Sequence, residues 1–356
     1  MKQFIKFIAY LQVLGIILVV LGHSFHEYPD GAGGKTLLLY RMLHSFRMPL
    51  FMFVSGFLMV YTTRIRYASG CPGIKTFVKT KLKRLLVPFF VLTLVTFVPR
   101  AAMSGIADDS IDMNMESLLR SFVYADSLVI PLFWFLQASF ILLIFSHTVI
   151  TIGEKAHINN APIYFLLVLL FVLIPFLPID YGSFFSINEV IKLGLYFALG
   201  CLYSRFASVI DRVIPWTSTW ILSGAVLVWA IMFFITENTP WIKLCSIIGI
   251  FMCICVAKLM EAHNIKILDH LVGSNYMIFL LSWYCNVGAQ QVLSHLIILP
   301  WWCYTILSLI SGIYIPWLGY RYLQNHPDSR WVRVTAVLLG QSFKLINNNR
   351  SDILSK

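Results

Sequence analysis

What this sequence has least of is charge. Charged residues make up 12% of the 356 positions while hydrophobic residues make up 59%. A soluble domain carries about 25% charge, and a chain of this length cannot hide so much apolar surface in one core of its own. Period-two alternation is also absent, which argues against a closed barrel and for helical spanning elements. C-x-x-C spacing is missing: Cys253 and Cys255 have a single residue between them and no histidine pair nearby, which leaves little basis for a zinc site. Six of the seven cysteines lie inside or at the ends of apolar runs and read as small buried apolar residues. The net charge of +11 has no basic, aromatic-laced domain to belong to, so nucleic acid is not an expected partner.

What is present is a series of apolar runs long enough to cross a bilayer, about ten of them. They cover 4–25, 40–62, 85–104, 128–151, 162–179, 187–206, 217–236, 241–260, 274–296 and 301–323. The first run has Lys2 before it and Lys6 at its start, but it is interrupted by Gln12 and ends at Gly22-His23-Ser24 without a cleavage pattern, so it reads as a retained span. Arg64, Arg66, Lys75, Lys79, Lys81, Lys83 and Arg84 form the densest basic cluster and are expected on the cytoplasmic side. The acidic segment with Asp108, Asp109, Asp112, Glu116 and Asp126 then falls outside, and the basic tail falls inside. The fold expected is therefore an all-α, polytopic membrane bundle of about ten transmembrane helices with both termini cytoplasmic. No internal repeat or second domain is evident. Residues 1–325 form the integral-membrane domain, and 326–356 form a cytoplasmic tail. Interfacial helices are expected at 76–84 and 331–346, where apolar and basic residues mix and would meet membrane lipids.

Ionisable residues inside apolar runs are costly, and each is a candidate for function. His23, His26 and Glu27 cluster at the end of the first run. On a continuing helix, His23 and Glu27 would share a face, and a carboxylate beside an imidazole sets up a general base. Arg47 lies within the second run and needs an anion, either Glu27 or a ligand phosphate. Lys81, Lys83 and Arg84 could grip the phosphates of an acyl-CoA, and they equally suit a topology signal facing anionic lipid. Trp134 and Tyr276 open two later runs, where an aromatic belt and a capped helix start are the plainer readings.

In order along the chain, Gly15-Ile16-Ile17-Leu18-Val19-Val20-Leu21-Gly22-His23-Ser24, Phe46-Arg47-Met48-Pro49-Leu50-Phe51 with Ser55-Gly56-Phe57, and Lys83-Arg84-Leu85-Leu86-Val87-Pro88-Phe89 resemble motifs of the membrane acyltransferase-3 family. Phe133-Trp134-Phe135-Leu136, Tyr196-Phe197-Ala198-Leu199-Gly200 and Ser274-Asn275-Tyr276 resemble its later landmarks. The likeness spans about 1–325 and is nearest to the polysaccharide and fucose O-acetylase branch. It implies a multi-pass protein of the inner (cytoplasmic) membrane of a bacterial envelope. Its activity would be O-acetylation, moving an acyl group, usually acetyl from cytoplasmic acetyl-CoA, onto a hydroxyl of an envelope or exopolysaccharide glycan. Acetyl-CoA is then a donor substrate and no cofactor is held permanently. The catalytic role falls on His23, acting directly or through an acyl-histidine. Glu27 would orient it and Arg47 would stabilise negative charge. Lys81, Lys83, Arg84, Trp134 and Tyr276 would line the donor route. The sequence departs from the family pattern at Gln12, where a basic residue is common, and at Ser282, where histidine is common. A flippase for a lipid-linked sugar is the rival reading, but the paired, symmetric halves typical of transporters are missing. An inactive family member is the third.

Overall fold

The computed structural model describes residues 6–25, 37–66, 73–102, 112–156, 160–177, 182–296 and 299–341. Among them the chain is all helical, with thirteen α-helices and no named strand. An isolated bridge pairs Tyr124 with Phe184. The helices are α1 (Lys6–Ser24), α2 (Leu38–Arg66), α3 (Ile74–Lys81), α4 (Val87–Ala102), α5 (Met115–Val123), α6 (Trp134–Lys155), α7 (Asn160–Leu173), α8 (Ile187–Val213), α9 (Thr219–Thr236), α10 (Ile242–Ala262), α11 (Asn275–Leu296), α12 (Trp301–Asn325) and α13 (Arg330–Leu338).

Among the described residues, eight stretches are long and apolar enough to cross a membrane: α1, α2, the 74–102 segment, α6 with the turn before it, α8, α9, α10 and α12. Two of the expected ten runs behave differently. The fifth becomes α7, a 14-residue helix that ends in a 3-10 turn containing Pro175, too short to count by length. The ninth becomes α11, which has the length, but Asn275, Ser282, Asn286, Gln290, Gln291 and Ser294 lower its apolar character.

The chain forms two compact units, with the divisions falling inside α2 after Val54 and inside α8 after Arg205. The first unit holds α1, the start of α2, the end of α8, and α9 to α12. Its centre is α1, which packs on α10, α11 and α12. Tyr10, Leu11, Val13, Ile16 and Val20 are completely buried there. The start of α2 is fixed by a proline. Pro49 has no N–H for the carbonyl of Ser45 one turn earlier. The hydroxyl of Ser246 on α10 donates to that carbonyl instead, at 2.6 Å. One residue on, Phe46 seats over Gly249 of α10, where a Cβ would come within 2.6 Å of the Phe46 side chain.

The second unit holds the rest of α2, α3 to α7, most of α8, and α13. The sequence suggests a surface helix over 76–84 followed by a separate span. The structure instead joins them into one helix from Ile74 to Ala102, interrupted by a π-helical turn at Leu82–Leu86. Such a turn carries one extra residue per hydrogen-bonded ring and often marks a functional position. Helix α13 packs on α4, with Val332 and Ala336 buried and Trp331 81% exposed beside the exposed Arg330 and Arg333.

Candidate active site

His23 lies in the last turn of α1, half-buried. The helix stops at Ser24, and Phe25 is already non-helical. The expectation of a shared helical face for His23 and Glu27 presumed a helix continuing through Glu27, and α1 ends three residues before it. Glu27 itself, with His26, lies outside the described residues.

Arg47 is brought to this end of α1. It is 4% exposed, and its guanidinium presses against the backbone one residue before His23. A Cβ on Gly22 would come within 1.1 Å of Arg47 Nη1, so only glycine leaves that space. Nη2 donates a long bond to Tyr40 Oη at 3.4 Å, and the guanidinium carbon lies 5.2 Å from the Tyr40 ring centroid. Tyr40 is held edge-on by Phe25 (5.8 Å between ring centroids) and faces His44 at 5.7 Å. Nε and Nη1 of Arg47 have no hydrogen-bond partner among the described residues. A buried, incompletely paired cation is costly. Such a group is suited to take up negative charge that arrives with a ligand or develops during a reaction.

The end of α1 is held by neutral amides that sequence reasoning passed over. Asn286 Nδ2 on α11 donates to Val20 O at 3.3 Å. Gln290 Nε2 donates to His23 O at 3.4 Å, Ser24 O at 3.3 Å and Ser308 Oγ of α12 at 3.2 Å. The available signal was their position as two amides four apart within an apolar run. Tyr40 and Ser246 were likewise missed. The Ser246 contact could have been sought from Pro49, which must orphan a carbonyl.

The remaining candidates sit elsewhere. Tyr276 is half-buried in the first turn of α11, 14 positions from Gln290, or about 21 Å along the helix. It therefore lies toward the opposite end of the first unit from His23. Lys81, Lys83, Arg84 and Trp134 belong to the second unit. Lys81 ends α3, with its ammonium 5.1 Å from the Phe77 ring centroid. Lys83 and Arg84 are exposed on the π-helical turn. Trp134 opens α6 half-buried, edge-on to Phe135. One turn into α6, Gln137 donates to Phe122 O at 3.1 Å and accepts from the Ser186 hydroxyl at 2.6 Å, which fixes the start of that helix.

The model of the acyltransferase-3 family, described as an acyltransferase domain, matches residues 5–321. The chain belongs to that family. The match includes parts of both units and every candidate residue named above. No curated protein and no solved structure matches the chain. The protein is thus a membrane acyltransferase whose helices carry His23 and Arg47 at one end of its first unit.

Proposed function

We propose that this acyltransferase moves an acetyl group from acetyl-CoA at the cytoplasmic face onto a hydroxyl of a cell-envelope glycan. The observation that carries the reading is the buried Arg47 guanidinium, without a partner at Nε and Nη1 among the described residues and lying against the residue before His23. In this proposal a ring nitrogen of His23 takes the proton of the acceptor hydroxyl. The oxygen attacks the thioester carbonyl and a C–O bond forms. The resulting oxyanion is stabilised by Arg47. The C–S bond then breaks, and the leaving thiolate takes the proton from the His23 imidazolium, giving the acetyl ester and free CoA. Lys83 and Arg84, exposed on the π-helical turn, would meet the phosphates of the donor, with Lys81 beside them. Trp134 and Tyr276 would line the donor route.

The accompanying topology has ten crossings of the inner membrane: the eight apolar segments plus α7 and α11. Both termini are cytoplasmic, supported by the basic cluster from Arg64 to Arg84 and by the basic tail. Family membership favours transfer over flipping a lipid-linked sugar.

The test is His23→Ala, checked for correct insertion and assayed by mass spectrometry of envelope polysaccharide. The expected result is a loss of acetyl transfer of about 10²- to 10⁴-fold with acetyl-CoA binding retained. Transfer at the normal rate would overturn the role of His23. Absence of acetyl-CoA binding to the intact protein would overturn the choice of donor.

A further inference from the structure

The last carbonyls of any helix lack intrahelical partners. In an apolar interior they cannot turn to water, so another group must satisfy them. At the end of α1 these carbonyls belong to the segment that bears His23. His23 O and Ser24 O accept from Gln290 Nε2, which spreads its two N–H groups over them and the Ser308 hydroxyl. Gln290 is 7% exposed and Ser308 is fully buried. One turn earlier on the same face of α11, Asn286 reaches Val20 O, and its Nδ2 also lies 3.5 Å from Ser24 Oγ, which itself donates to Val20 O at 2.9 Å. Ser308 closes the set by donating to Asn286 O at 3.5 Å. The apolar contacts of α1 fix its axis but leave rotation and slip of the last turn to be set by directional bonds, and Gln290 and Asn286 supply bonds of that kind.

We infer that Gln290, assisted by Asn286, is a positioning residue for acyl transfer. It holds the backbone of His23 and Ser24 so that the imidazole meets the acceptor hydroxyl in reactive alignment. The inference rests on the general-base reading of His23. Gln290 touches neither substrate in this account and acts only through the pose of His23. Misplacement of a reacting group by about 1 Å can cost on the order of 10²-fold in rate.

The experiment compares four forms of the full chain in membranes: wild type, Gln290→Met, His23→Ala and the double variant. Each rate is normalised to correctly folded protein. Gln290→Met keeps the length and removes the donors. Its turnover is expected to fall about tenfold to a hundredfold. Acceptor KM and acetyl-CoA Kd should stay within about twofold, and the acid limb of the pH–rate profile should move, because that limb reports His23. In the His23→Ala background the same substitution should change the residual rate by less than about twofold. Unchanged turnover in Gln290→Met overturns the inference, as does a fall with the acid limb in place or an equal fall in both backgrounds. His23→Ala working at the normal rate sinks the general-base reading itself. His23→Ala inactive beside a fully active Gln290→Met sinks the positioning role alone.

Discussion

The two ends of α1 are anchored by different chemistry. At its start, ionisable groups pair with polar or charged partners. Lys6 Nζ donates to Asn264 Oδ1 at 3.0 Å, the Phe7 N–H to Glu261 Oε1 at 3.2 Å, and the Tyr10 hydroxyl to Asp269 Oδ1 at 2.7 Å. Lys258 pairs with Asp211 at 2.7 Å and covers the Phe7 ring at 4.2 Å. At the other end the holding is done by neutral amides and hydroxyls, while Arg47 keeps two nitrogens without a partner among the described residues. Charge serves attachment at one end. At the other, the bonds to the α1 backbone come from neutral groups.

Removing the open cation should have the largest effect. Arg47→Met is expected to lower turnover by about 10²- to 10³-fold. Its thermal midpoint should hold or rise, because an apolar chain of similar volume replaces an incompletely paired buried charge. A lowered midpoint with turnover per folded molecule intact would make Arg47 a structural ion and erase the contrast. Gly22→Ala comes next. Its methyl needs the space held by Arg47 Nη1, so the guanidinium must swing away, and turnover should fall about tenfold. The flexible side chain can give way, so the fall should be smaller than for Arg47→Met.

The other end should respond in stability. Tyr10→Phe deletes the bond to Asp269 and is expected to cost about 0.5–1.5 kcal/mol in a denaturation series, with turnover per folded molecule unchanged. An activity loss larger than the stability loss explains would show that the anchored end also shapes the site. The smallest effect is expected from Arg41→Ala, which removes the Arg41–Glu237 pair at 2.8 Å, its side chains 46% and 20% exposed. Such a pair contributes about 0.2–1 kcal/mol, and the difference from wild type should shrink as salt is added.

Much of the architecture is legible in the sequence because bilayer-length apolar runs have few alternatives to helix. The exceptions have local physical causes. Pro175 lets the fifth run end in a 3-10 turn, and the amides of α11 give that helix a polar strip. The π-helical turn at Leu82–Leu86 is marked only by Pro88 just beyond it, which offers no N–H to the Arg84 carbonyl, and it fuses two stretches that composition separates. In the candidate site, Arg47 is conspicuous as a cation inside an apolar run, and His23 as an imidazole ending one. Their surroundings are not legible, because Gln290 is 267 positions from His23 and Ser246 is 201 from Ser45. Hydrophobic periodicity carries no information about such separations.

The hydroxyl of Ser246 answering the carbonyl that Pro49 leaves bare has a consequence for how this chain can vary. The two positions share one requirement, so a change at one alters what the other must supply. While proline stands at 49, position 246 must keep a donor of short reach. Once an ordinary residue restores the N–H at 49, position 246 is released and a plain alanine becomes as acceptable as serine. Drift at either place thus rewrites what is tolerated at the other, although the two lie on different helices nearly two hundred residues apart.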